Sequence, residues 1–264
     1  MNIFVRELKA NFKSLLIWGF IVVLFVVVGF SKFSAYYGNP ELLAILDAMP
    51  VAMLDAFNMN AFNLTTITGF YGVMFVFFAL LLSIAAAMWG SDIISKEERD
   101  KTVEFTLSLP VTRSKLITGK ILAALVNCIV LALITWGTTL VSFANYQPDS
   151  EFYNFLALGM LALFIMQLIF LSIGIFLGCA MKQHKRSSSV AVSILLVTYF
   201  ISIIAGLSKN LAFLKYFSPF KYFDPAALFH TSKLDIVFVV LSFGIVLVSL
   251  VGAYVSYAKR DLYI

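Results

Sequence analysis

Six stretches of this chain contain no Lys, Arg, Asp or Glu and are almost wholly apolar: about Leu15–Phe30, Thr68–Met88, Ile121–Phe143, Phe155–Met181, Val190–Leu207 and Ile236–Tyr257. Runs of this kind have one suitable solvent. About twenty helical residues cross roughly 30 Å of hydrocarbon at 1.5 Å per residue. In that medium every backbone N–H and C=O has to find its partner inside the protein. The runs are solid rather than alternating, which excludes the strands of a membrane barrel. The chain is therefore read as an all-α integral membrane protein with six transmembrane helices. Its 12% of charged residues is about half the share of a soluble domain. Six spans in 264 residues leave no room for a large soluble domain, so 1–264 is expected to form a single transmembrane domain.

Direction follows from the basic residues between the runs. Alternate segments carry fourteen Lys and Arg on one side and five on the other. Cytoplasmic connections hold the excess, so both termini are expected in the cytoplasm of a multi-pass cell-membrane protein. Basic residues ahead of the first run also fit a signal peptide. However, Ser34 and Ala35 make a weak cleavage pattern, and removal would leave five spans with discordant charge. Residues 2–14 read instead as an N-terminal amphipathic interfacial helix. Phe4, Leu8 and Phe12 share one face, while Arg6, Lys9 and Lys13 reach lipid headgroups.

The segment Ser95–Lys120 holds ten of the chain's thirty-three Lys, Arg, Asp and Glu residues. A loop that only set topology would need basic residues alone. Here acids are interleaved (Asp92, Glu97, Glu98, Asp100, Glu104), and the apolar Val103, Phe105, Leu107 and Leu109 lie among them. A mixed-charge rim around an apolar strip is the composition of a protein-docking surface. The flanking charges, Glu97 and Lys101 among them, are expected on its solvated rim. Val103–Leu109 alternates in a way that fits a half-buried strand as well as a helix. Pro110 ends the element, and Thr112 or Ser114 can cap the helix that follows.

No phosphate-binding glycine loop occurs, nor any common intramembrane protease motif. His184 and His230 fall on opposite sides by the charge count, so they share neither a metal nor a catalytic dyad. Glu97, Glu98 and Asp100 lie among Lys96, Arg99 and Lys101, which favours mutual neutralisation over metal binding. The chain is thus expected to have no catalytic residue, no metal and no cofactor of its own. Cys128 and Cys179 read as buried small hydrophobes. Asn127 and Gln167 are the most polar residues within the spans and are expected to hydrogen-bond between helices rather than to meet cargo. The Gly174/Gly178 pair reads as helix packing within the chain. Between the last two runs, Phe213–Phe229 is dense in aromatics and broken by Pro219 and Pro225, as in a belt at headgroup level. Its placement outside the cell removes nucleic acid as a partner.

The run Glu98–Lys120 resembles the signature of type 2 ATP-binding-cassette permeases, through Thr102, Glu104, Leu107, Pro110, Arg113, Gly119 and Lys120. The spacing departs from the family pattern by about a residue. Leu42–Met59 and Ser218–Ala226 are similar to the family's outer segments after span one and before span six. The resemblance implies a cytoplasmic coupling helix built from Glu97, Glu98, Arg99, Thr102, Val103, Phe105, Leu107, Leu109, Pro110 and Arg113. In the family this helix seats in a groove of a separate ATPase subunit. It also implies short outer re-entrant helices before the last span, forming a lid from Pro219, Phe220, Tyr222, Phe223 and Pro225. Two copies of the cytoplasmic ATPase, carrying the ATP and magnesium, would serve a pathway formed with a second permease subunit, identical or a close paralogue. Export of an amphipathic or hydrophobic cargo (peptide, lipid or drug) is the expected function. A membrane channel or scaffold that anchors a cytoplasmic protein through the 95–119 loop is the alternative.

Overall fold

The structure is a computed structural model that describes residues 3–39, 48–50, 54, 62–99, 111–181, 183–207 and 209–259. Among these residues there are helices and connections but no strand. The helices are α1 (Ile3–Ser31), α2 (Phe33–Tyr36), α3 (Ile67–Arg99), α4 (Arg113–Phe143), α5 (Ser150–Ala180), α6 (His184–Leu207), α7 (Pro219–Tyr222), α8 (Pro225–Thr231) and α9 (Ile236–Lys259). Turns of 3-10 helix occupy Ala144–Tyr146 and Lys209–Phe217. Six helices are long and apolar enough to cross a membrane: α1 with α2, α3, α4, α5, α6 and α9. Each contains one of the six apolar runs.

Local chemistry sets several of the boundaries. Thr112 caps α4, its side chain accepting from the Lys115 amide, and Asp149 caps α5 by accepting from the Phe152 amide at 2.8 Å. Asp224 does the same for α8, with Pro225 at its first position. The second run continues in α3 well beyond Met88, because its polar residues find partners on the way. Ser91 Oγ lies 2.7 Å from Ser188 Oγ on α6, and Ser188 donates to Asp92 at 3.3 Å.

The amino-terminal segment differs from expectation. Instead of a separate surface helix, residues from Ile3 onward are the first turns of α1 itself. Their buried line is Ile3, Glu7 and Asn11, while Phe12 is exposed. Polar contacts outweigh the apolar stripe here: Asn11 donates to the Glu7 carbonyl at 3.0 Å, and the Glu7 carboxylate is paired inside the bundle.

At the centre of the bundle, α3 and α5 run parallel. Tyr71 packs on Phe155 and Gly159, Ala87 on Gly174, and Ser91 on Gly178. A Cβ at Gly90 would collide with the Leu171 carbonyl, and one at Gly174 with the Ala87 carbonyl. At Gly178 it would stand 2.9 Å from the Ser91 carbonyl. Small residues let the two backbones touch, which is how helices associate where lipid supplies no hydrophobic drive. The Gly174/Gly178 pair therefore packs within the chain. Beside this pair, α1 runs parallel to α4, with Ile3 against Gly119 and Ile134 against Gly19. At its far end Phe30 meets Phe143 with ring centroids 4.3 Å apart. Phe33, Phe70 and Phe152 join the same cluster. That aromatic pole gathers the ends of α1 and α4 and the starts of α3 and α5, so these four spans alternate in direction.

Two measurements check this arrangement. Ser95 is buried and unsuited to labelling, but Ser114 and Ser150 are exposed at opposite ends of the bundle. Cysteines at these positions are expected to react with an impermeant thiol reagent from opposite sides of the membrane. Same-side reaction of both would contradict the alternation. Gly174→Val should lower the midpoint of thermal unfolding in detergent by an amount corresponding to about 1–3 kcal/mol. Gly137→Ala, at a site with open space around it, should not.

Candidate functional site

Opposite the aromatic pole, four charged side chains from three helices meet under cover. Lys120, one turn or two into α4, is 1% exposed. Its ammonium donates to Glu7 Oε1 of α1 at 3.3 Å and to the Ile93 carbonyl of α3 at 2.8 Å, and it lies 3.2 Å from Glu97 Oε1. The Arg6 guanidinium donates to the same two carboxylates, at 3.1 Å to Glu7 and 2.6 Å to Glu97. Two acids and two bases thus balance in a site with little water. An unbalanced charge there would carry several kcal/mol of desolvation.

Glu97 is therefore not a rim charge. It reaches across to α1 and α4 and is buried, because the last turns of its helix are held against Lys120. Glu7 and Lys120 carry no docking signal in the sequence. The one hint was an acid in an otherwise basic amino-terminal segment.

Further contacts tie this end together. Arg113, at the start of α4, donates from Nη1 to the carbonyls of Tyr257 and Ala258 at 3.3 and 3.1 Å. A cation at the carboxyl end of α9 is favourably placed on the helix dipole. Thr118 and Tyr254 hydroxyls lie 2.6 Å apart. Lys96 donates to the Ala10 carbonyl at 3.3 Å, and the Trp89 indole donates to Ser14 Oγ at 2.9 Å. The structure thus places Glu97 and Arg113 on the two helices that flank the charged loop, each bound to a different neighbour. Glu98 and Arg99 close α3. Thr102, Val103, Phe105, Leu107, Leu109 and Pro110 lie outside the described residues. No group of His, Cys, Asp and Glu among the described residues could hold a metal ion.

In mid-bundle three amide atoms stand without a partner within this chain. Neither Gln167 Nε2 nor Oε1 has a hydrogen-bond partner, nor has Asn127 Nδ2, and all are buried. Ser83 Oγ of α3 is likewise buried without a partner. Around Ser83, α3 presents Ala79, Leu82, Ala85 and Ala86, which offer no side-chain donor or acceptor.

At the other pole, the segment between α6 and α9 folds inward. Phe220, Tyr222 and Phe223 are buried, as are Pro219 and Pro225. Phe220 packs on Phe170 of α5 and Tyr199 of α6 with centroids 5.6 and 5.4 Å apart. Tyr222 stacks on Phe238 of α9 at 5.1 Å, and its hydroxyl donates to the Tyr216 carbonyl at 2.6 Å. Burial pushes the Tyr222 phenol above its ordinary pKa. Ser218 Oγ donates to the Thr198 carbonyl, and Lys221 pairs with Asp224 at 2.8 Å across the two short helices. These three rings fill the gap between α5, α6 and α9, whereas Phe213, Tyr216 and Phe217 of the same segment are exposed, as a headgroup belt would leave them. A small cavity beneath them is lined by Phe75 and Ala79 of α3, Ser202 and Ile203 of α6, and Lys221 and Asp224.

The two polar sets differ in what their loss should do. Lys120→Met leaves Glu7 and Glu97 short of a cation and is expected to cost about 3–5 kcal/mol of stability. Gln167→Met removes groups that have no partner and should be neutral or stabilising. Thermal unfolding of the two variants in the same detergent checks the contrast, and equal losses would refute it.

None of the curated proteins matches the chain. A family model described as ABC-2 family transporter protein matches residues 1–262, almost the whole length over which the six membrane helices, the ionic junction and the inward-folded aromatic segment are laid out, and the chain belongs to that family of membrane transporter proteins.

Proposed function

We propose that this chain is the permease subunit of an ATP-driven exporter and that its 95–119 loop seats in a groove of a separate cytoplasmic ATPase. The family works with an ATP-binding-cassette ATPase in general. The observation that carries the reading is the ionic junction. Glu97 lies in the last turn of the helix that enters the loop and is held by Arg6 of α1, while Lys120 lies in the helix that leaves it and is held by Glu7 of α1 and by Glu97 itself. A force applied to such a loop moves α1, α3 and α4 together rather than being absorbed by flexible ends. The apolar strip Val103, Phe105, Leu107 and Leu109 supplies what a groove would bury.

Two permease subunits, identical or closely related, would then enclose the pathway, with two ATPase subunits bound at the cytoplasmic pole and both termini on that side. ATP and magnesium belong to the ATPase. The chain itself contributes no catalytic group. The plug formed by Phe220, Tyr222 and Phe223 is the outer lid in this reading, closing the exit until α6 and α9 shift. Cargo is amphipathic or hydrophobic, since the spans offer aromatic and aliphatic surface with few polar groups and no paired charge at mid-depth.

The test is co-purification and coupled hydrolysis with a co-expressed ATP-binding-cassette ATPase. Burying an apolar side chain contributes roughly 1.5–3 kcal/mol, so Phe105→Asp or Leu107→Asp should weaken ATPase association by about 10–100-fold. Lys101→Ala, at the rim, should change it by less than about fivefold. Glu97→Ala should act differently, lowering the stability of the permease alone. Severe rim effects with silent apolar changes would overturn the docking mode. Failure of any ATPase to associate would favour a channel or scaffold.

A further inference from the structure

The bundle carries a feature that the transport reading does not use. Between α1 and α3, on the outer face of the molecule, lies an open groove of about 520 Å³. Its walls are Leu24, Phe25 and Val28 of α1 and Met74 and Phe77 of α3, with Ile21 at one end. Gly29 leaves the wall bare of a side chain where Met74 stands across from it. Phe25 forms the floor, its ring edge-on to Phe78 at 5.8 Å.

Polarity is confined to the end away from Ile21. Lys32 and Tyr36 line it there, one helical turn apart. Lys32 is exposed, and no carboxylate pairs with it among the described residues. From Ile21 to Lys32 the helix rises about 16 Å, close to half of the ~30 Å hydrocarbon thickness. The groove is thus one leaflet deep, apolar along its length, and closed at headgroup level by a cation and a phenol. Two helices of a second copy would meet an unpaired charge at that end. A free solute would meet lipid along the open side.

The geometry points to a site for one anionic phospholipid, its phosphate on Lys32 with the Tyr36 hydroxyl beside it and an acyl chain lying between α1 and α3. Desolvated apolar contact holds the chain, and the charge selects the headgroup. Occupancy fills the seam between α1 and α3, whose contact elsewhere is slight beside that of α1 with α4.

The experiment uses the full-length protein in neutral detergent, exchanged with an equimolar mixture of phosphatidylglycerol and phosphatidylcholine and read by native mass spectrometry. The wild type is expected to retain phosphatidylglycerol in preference. Lys32→Glu should cut that preference about fivefold, and Lys32→Arg should keep it. Val28→Trp, at an exposed wall position, should reduce retention of both lipids, whereas Val27→Trp, exposed on the same helix but outside the groove, should leave it unchanged. Thermal unfolding of each variant separates lost lipid from lost fold. An unaltered lipid ratio in Lys32→Glu at native stability overturns the proposal. So does Val28→Trp converting a dimer to monomers without changing lipid retention, which would give the groove to a second copy.

Discussion

A lysine cannot be drawn out of water without its counter-charges, and Lys120 fixes the geometry of one whole end of this molecule for that reason. Its ammonium is covered by α1, α3 and α4, and each supplies or carries part of its neutralisation. Because Glu7 has to reach it, the amino-terminal segment cannot lie flat on the membrane surface and instead continues as α1. Because Glu97 has to reach it, α3 stays helical beyond the last apolar residue of its run. Gly119 follows from the same demand: Ile3 packs where its Cβ would be, at 3.2 Å, so α1 can come close enough for Glu7 to make its contact. Replacing such a knot by apolar residues is often no less stable. Its value therefore lies in specifying which helix ends meet.

Elsewhere the bundle is held by a different physics. The α3–α5 seam is a dispersion contact between backbones, made possible by Gly90, Gly174 and Gly178. Such a seam tolerates no added atom, and it offers no polar partner to what it encloses. Further along the same two helices, Gln167 and Ser83 are buried without a partner. Ionic specificity at one end and steric intimacy at the centre make α1, α3, α4 and α5 a cohesive set.

The six spans were legible in the sequence because membrane helices need no periodicity to be seen, only length and the absence of charge. The alternation of direction was legible from Lys and Arg counts, and the helix cap at Thr112 from its side-chain oxygen. Contacts that join residues far apart were not. Glu7 and Lys120 are separated by 113 positions, and no local pattern marks a charged residue as buried when its partners lie on other helices. Glu97 read as a rim charge for the same reason. Polarity in a span suggests a partner for Gln167, whereas three-dimensional packing alone decides whether one stands within reach. The aromatic segment before α9 was legible from its residues as a cluster, and an inward-closing lid only through the family resemblance. Whether a Phe faces lipid or protein depends on which spans leave a gap. The strip at Val103–Leu109 lies outside the described residues and rests on its composition.

Cohesion is unevenly distributed, and that bears on how a transporter of this build could move. The loop flanks belong to the cohesive set, whereas α6 and α9 leave large side chains such as Phe200, Val240 and Val248 exposed. α9 nonetheless packs along α5, with Phe176 against Gly252, and α6 packs along α3. Side-chain contacts add to this at each pole: Ser188 with Ser91 and Asp92, Arg113 with the end of α9, and the ring contacts of Phe220 and Tyr222. Packed interfaces shift between discrete arrangements rather than deforming continuously. In the proposed cycle the cohesive set would move as one body, and the side-chain contacts at the poles would be among those that exchange. Both ends of α6 and α9 are bound by side chains that can exchange partners without opening a backbone hydrogen bond. An outer segment built from aromatic contacts and one lysine–aspartate pair is suited to such exchange, because its rings can find new apolar neighbours at little cost. The glycine seam cannot exchange partners in that way, because its contacts are backbone against backbone.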